Sequence, residues 1–88
     1  NENKLDHEIA VFPNPTSGET TIEISGFVDN EATLEIYDMM GRKWLTEEMT
    51  ASQHFAESHV NLGGVPSGAY IARIVTKNQV YTKQFIKQ

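Results

Sequence analysis

The apolar residues of this chain recur two apart, not three or four apart. Ile22 and Ile24 stand on one side of a run whose other side is Thr21, Glu23 and Ser25. Leu34 and Ile36 repeat the pattern against Thr33, Glu35 and Tyr37, and Tyr70, Ala72 and Ile74 repeat it against Ile71, Arg73 and Val75. A period of two puts alternate side chains on opposite faces of an extended strand. No segment carries a convincing helical period. The nearest, GRKWLTEEMT, has no capping residue in front of it.

These runs are short and bounded by turn chemistry. Ile9 to Phe12 reads as a first strand stopped by Pro13, and Thr20 to Ser25 as a second. Asp29-Asn30 turns the chain into Ala32 to Asp38. Asp38-Met39-Met40-Gly41 then suggests a hairpin with a type I turn, left-handed glycine and G1 bulge, returning along Lys43 to Thr50. Ala51 to His54 reads as connection and Phe55 to Leu62 as a weaker strand. Val65-Pro66-Ser67-Gly68 has the proline and glycine of a type I turn. Ala69 to Thr76 is the most apolar run and suits a central strand; Val80 to Lys87 is a last strand rich in β-formers. About seven short strands with turns every 8–12 residues, and almost no helix, make an antiparallel β-sandwich the expected fold.

The stretch Val11–Ile24, VFPNPTSGETTIEI, brackets one asparagine with two prolines just before a good strand. Proline fixes its own φ, lacks a ladder donor and extends the residue before it. Pro13-Asn14-Pro15 therefore reads as a stiff connector outside the central ladder, with a set exit angle. Each proline also reduces unfolded-state entropy, by about 0.4–1 kcal/mol where the geometry fits. Thr16-Ser17-Gly18 supplies the turn.

Eighty-eight residues allow one small core, burying ~60–65% of the unfolded surface. With no cysteine, neither a disulfide nor a thiolate metal site supports it. That absence argues for the cytosol, or for a domain that must stay unlocked during export. No apolar run is long enough for a transmembrane helix, and no secretory signal opens the sequence. Asn1 reads as a cut point and NENKLDHE, residues 1–8, as the end of a linker.

The net charge of −5 disfavours nucleic acid as a partner. Its distribution is more telling. Residues 1–61 hold all twelve acids with only Lys4, Arg42 and Lys43, for a net −9. Residues 62–88 hold Arg73, Lys77, Lys83 and Lys87 and no acid, for a net +4. Such a split marks either an interaction tail or basic strands laid beside acidic ones.

Chemistry-bearing patterns are missing. His7, His54 and His59 have no metal-ligand spacing, and the acidic loop at Asp29, Asn30 and Glu31 lacks the density of a calcium site. Neighbouring acids such as Glu47-Glu48 point to opposite strand faces. No serine sits in a nucleophile elbow and no glycine set cradles phosphate. No catalytic residue, metal or cofactor is expected. Trp44 and Tyr70 are expected in the core, not on a sugar-stacking platform with Tyr37 and Tyr81. Met39-Met40 at a turn tip reads as an adaptable contact or as a cover over the sheet edge.

In order, the chain carries FPNP at Phe12–Pro15, IYDMMGR at Ile36–Arg42, VNL at Val60–Leu62, PSGAY at Pro66–Tyr70 and KQFIKQ at its end. Over roughly Ile9 to Gln88 this resembles the type A C-terminal sorting domains of the type IX secretion system of Bacteroidota. The resemblance implies an Ig-like β-sandwich borne by a larger exported cargo. The domain would act as a non-catalytic address. It would pass through the periplasm and be read by outer-membrane shuttle and sortase proteins. It is commonly removed, leaving the cargo at the cell surface or outside, with the cut in the linker before the first strand. Pro13, Asn14 and Pro15 match the family's first motif, Asp38, Gly41 and Arg42 its hairpin, and Gly68 and Tyr70 the next. Lys83, Phe85, Ile86 and Lys87 match the strand used for recognition, although this chain ends in KQ and not in a run of lysines. An Ig-like accessory module, spacer or carbohydrate-binding, is the alternative. A third reading is an edge-strand dimer that exchanges the last strand between copies.

Overall fold

In a computed structural model, residues 8–26, 31–52, 54–77 and 79–88 are described. They form eight strands: β1 (Glu8–Phe12), β2 (Glu19–Ser25), β3 (Ala32–Asp38), β4 (Lys43–Glu48), β5 (Thr50–Ser52), β6 (Phe55–Asn61), β7 (Gly68–Thr76) and β8 (Val80–Lys87). No described residue is helical. The linker expected at residues 1–8 lies outside these residues except for Glu8, which already pairs with Ser25. The Asp29-Asn30 turn also lies outside them.

The strands make two antiparallel sheets, ordered β1-β2-β6-β5 and β4-β3-β7-β8. This is the order of an immunoglobulin-type sandwich. The alternation seen in the sequence becomes its two inner faces. Ile22 and Ile24 lie opposite Ser58 and Ala56 in one sheet, and Leu34 and Ile36 lie opposite Ile74 and Ala72 in the other. These four large aliphatics are fully buried and form one core with Val11, Val60, Leu62, Tyr70 and Phe85.

The expected return strand Lys43–Thr50 stops at Glu48, and Thr50 joins Ala51 and Ser52, expected as part of the Ala51–His54 connection, in a separate strand β5. β4 pairs with β3, and β5 pairs with β6 in the opposite sheet. The break is Met49. Its side chain is buried and its N–H donates to the Ala32 carbonyl at 2.9 Å, so the chain crosses between sheets with its donor satisfied. The hairpin before it forms as expected. Gly41 N–H donates to Asp38 O at 3.1 Å, Asp38 N–H donates to Arg42 O at 2.9 Å, and Gly41 takes φ +90°. The β3–β4 register then slips at Ile36/Tyr37, leaving Trp44 as the extra residue.

Tyr70, near the start of β7, donates its hydroxyl to the Pro66 carbonyl. A tyrosine bonded a few residues upstream at this corner is a device of immunoglobulin-type sandwiches. The hydrogen-bonded turn in this segment is Leu62–Val65, at 3.0 Å. Pro66 and Gly68 follow it and lead into β7.

Candidate functional site

β8 is the edge of its sheet. Its odd residues, Tyr81, Lys83, Phe85 and Lys87, point to the inner side, and its even residues, Val80, Thr82, Gln84 and Ile86, to the outer side. Phe85 is 1% exposed and stacks on Tyr70, with ring centroids 6.0 Å apart. Lys87 is 7% exposed, whereas Ile86 is 40% exposed. Lys83 pairs with Ala72 but lies where the sandwich opens at its rim, and it is exposed. No ion pair holds Lys83 or Lys87 among the described residues. Of the four residues singled out for recognition, Lys83 and Ile86 therefore present side chains at the surface. Phe85 and Lys87 are largely covered.

The Pro13-Asn14-Pro15 segment reaches this strand. Both of its proline peptide bonds are cis. Leaving β1 at the edge of one sheet, it brings the chain alongside β8 at the edge of the other. Asn14 Oδ1 accepts the Ile86 N–H at 3.0 Å. Thr16 N–H donates to Ile86 O at 2.9 Å, and Gln88 N–H donates to Thr16 O at 2.8 Å, making a short parallel bridge. The strap is itself anchored. The fully buried Thr16 hydroxyl donates to Glu19 O at 2.8 Å and accepts from Gly18 N–H at 3.0 Å. Thr20 Oγ1 donates to Pro13 O at 3.0 Å. Gly18 O takes the Leu62 N–H at 2.8 Å, and a Cβ on Gly18 would stand only 3.4 Å from Gly63 Cα. The stiffness of this segment and the turn chemistry of Thr16 are legible in the sequence, but the link to β8 is not. The Asn14 side chain and the Thr16 main chain find partners some seventy residues away, and the local sequence carries no signal for them.

This strap divides the β8 edge. Along an antiparallel strand, alternate residues turn their main-chain groups toward one neighbour or the other. Ile86 turns its groups outward, to the strap. Thr82 and Gln84 therefore also face outward, and among the described residues no strand lies beside them. The half of the edge ending at Ile86–Gln88 is covered; the half from Val80 to Gln84 is open.

The second motif builds a rigid corner. Asp38 Oδ1 accepts the N–H groups of Met40 and Arg42, each at 2.9 Å, and Oδ2 accepts the Trp44 indole N–H at 3.1 Å. The Arg42 guanidinium lies 4.2 Å over the Trp44 ring. Trp44 is thus half-buried against the edge of the core with one face covered by Arg42, an arrangement between the expected core position and an open platform. Met39 and Met40 are both exposed at the tip. The hydrogen bond from the Arg42 amide, then that from Trp44, hold the Asp38 carboxyl below its ordinary value, with Met40 and the Arg42 charge adding and desolvation opposing. Burial, with the Asp38 charge, pushes the Tyr70 hydroxyl up and keeps it a donor.

A depressed carboxylate stabilises the fold above its unfolded-state pKa and loses that contribution as pH falls through its folded value. The single tryptophan reports on it. Trp44 emission is expected to hold steady down to about pH 4 and to change below that. Asp38→Asn, which loses one acceptor oxygen, is expected to alter the emission already at neutral pH. Identical acid titrations of the two proteins by fluorescence would show that Asp38 does not hold Trp44.

Arg73 and Lys43 flank Glu35 at 3.8 and 4.0 Å, and Tyr37 donates to Glu35 Oε1 at 3.0 Å, a cluster on the outer face of the sheet. His59 Nδ1 meets Thr21 Oγ1 at 2.8 Å, and its Nε2 lies 3.9 Å from Glu57. Among the described residues no group of three or more His, Asp or Glu side chains is placed to hold a metal ion, and no helix is long and apolar enough to cross a membrane.

Comparison with curated proteins returned no match. Residues 10–88 match the family described as the secretion system C-terminal sorting domain, a span holding every motif placed above, from the Pro13–Pro15 strap to β8. The chain belongs to the family of type IX secretion C-terminal sorting domains.

Proposed function

We propose that residues 9–88 are a non-catalytic address, read at the rim formed by β8, for a larger cargo that crosses the periplasm and the outer membrane of a Bacteroidota cell. Shuttle and sortase proteins of the secretion machinery are its partners, and the cut that frees the cargo falls in residues 1–8. The observation that carries this reading is the coincidence of charge and geometry. The acid-free segment, with its net +4, ends in an edge strand whose Lys83 and Ile86 stand at the surface. Phe85 and Lys87 serve by holding that strand in place. Pro13, Asn14, Pro15, Gly68 and Tyr70 serve the fold, as do Asp38, Gly41 and Arg42.

The test is transport of a periplasm-directed fluorescent protein carrying residues 1–88 in a bacterium with a type IX system. The full domain is expected to send fluorescence to the surface or medium, and a version ending at Val80, which also loses the buried Phe85, to retain it in the periplasm; recognition is tested by variants that keep the core. Lys83→Glu with Ile86→Asp, which leaves the core intact, is expected to reduce export at least several-fold. Normal export by a folded double variant would remove the β8 rim from the reading.

A further inference from the structure

We infer that the open half of the β8 edge, Val80 to Gln84, accepts one extended segment of a partner protein that carries a carboxylate opposite Lys83 and an apolar residue beside it. The inference rests on the reading that β8 is where the domain is recognised, and adds where on β8 the partner sits and what its chemistry is.

The edge itself sets the length. Thr82 and Gln84 turn their N–H and C=O groups away from β7, while the next outward residue, Ile86, is saturated by Asn14 and Thr16. An incoming strand that ran past Gln84 would have to displace the strap, whose Thr16 is fully buried and bonded to Glu19 and Gly18. The register is therefore limited at one end, and the outward residues Val80, Thr82 and Gln84 supply up to six main-chain bonds to a partner. Two of the other three edges suit this role less well. β5 is three residues long, and β4 carries the charges of Lys43, Glu47 and Glu48 beside a register slip.

Side chains set the chemistry. On the inner side, the partner residue opposite Lys83 meets an exposed ammonium with no ion pair among the described residues, in a segment without one acid of its own. A carboxylate is the complement. On the outer side, Thr82 is short. Next to it lies a groove of about 500 Å³ whose lining includes Tyr37, Asp38, Met39, Ile71, Arg73 and Val80. Its walls are mainly apolar, and the exposed Met39 can adapt to what enters. A large apolar side chain opposite Thr82 would lean across it into this groove. Alternation makes that residue the immediate neighbour of the acid.

The probe is the pair of peptides acetyl-Thr-Val-Glu-Val-Thr-amide and acetyl-Thr-Val-Lys-Val-Thr-amide, added at millimolar concentration to the ¹⁵N-labelled chain. The glutamate peptide is expected to shift the amide signals of Thr82 and Gln84 while leaving that of Ile86 in place, and to bind about fivefold more tightly than the lysine peptide, the size of a switched cross-strand charge pair. Lys83→Glu is expected to reverse the preference. Thr82→Pro, which removes an outward donor and fills the edge, is expected to abolish binding by both while the rest of the spectrum keeps its dispersion. Equal affinity for the two peptides, shifts centred on Ile86 or on β4, or no shift at all would overturn the inference. The same variants in the export assay separate the two readings. Loss of peptide binding with export unimpaired would leave the docking site standing but show that it is not the address.

Discussion

Phe85→Ala is expected to lower the unfolding free energy by about 3–5 kcal/mol, the cost of emptying a buried aromatic site. A chain of this length has ~4–13 kcal/mol in total at the usual stability per residue. The variant should therefore be marginal or unfolded near body temperature. Phe85 is 1% exposed, stacks on Tyr70 and ties an edge strand to the core. Its neighbour Ile86 lies on the same strand but faces outward at 40% exposure. Ile86→Ala is expected to cost no more than about 1 kcal/mol. Urea titrations followed by Trp44 fluorescence and circular dichroism compare the two. If both cost the same, Phe85 does not anchor β8. The contrast matters for export, because a variant that fails by unfolding says nothing about recognition. Ile86 variants interrogate the surface, and Phe85 variants interrogate the fold.

Proline at two adjacent positions of β8 should produce opposite results. Lys83 is paired with Ala72, and alternation from Ile86 turns its N–H inward to β7. Lys83→Pro deletes a ladder bond and puts a ring between two strands, for a loss of about 3 kcal/mol or more. Thr82 points its N–H to the open edge, where proline costs no ladder bond. Thr82→Pro should leave the melting temperature within a few degrees of the parent, on the order of 1 kcal/mol. Thermal melts of both variants decide the matter. A severe loss in Thr82→Pro would mean that this half of the edge is not open. Equal tolerance of both would mean that the β7–β8 register is wrong.

Much of this fold was legible because half-buried strands write their burial into the sequence with a period of two. Ile22 and Ile24, Leu34 and Ile36, and Tyr70, Ala72 and Ile74 were read as sharing faces, and each set lies on an inner face. The Asp38–Gly41 turn was legible for an equally local reason. A short turn ending in glycine determines its own bonds, and Gly41 takes the positive φ expected of it. The division at Met49 was not legible. β4 is half-exposed and alternates weakly, so nothing in KWLTEEMT distinguishes one long strand from two that belong to different sheets. Trp44 was misplaced by degree, since its apolar ring suited a core while its N–H and π-face found partners in Asp38 and Arg42.

The sequence by itself determined an all-β chain of short strands, the residues that face inward, the glycine hairpin and the concentration of positive charge after Asn61. All of these depend on near neighbours along the chain. Only the tertiary structure decided that Asn14 and Thr16 close the far half of β8, that Lys87 is covered while Lys83 is exposed at the rim, and that Thr82 and Gln84 face an edge with no described strand beside it. Which edge a strand presents, and what already occupies it, depends on where a distant segment crosses from one sheet to the other. No periodicity within eight residues of β8 encodes that crossing.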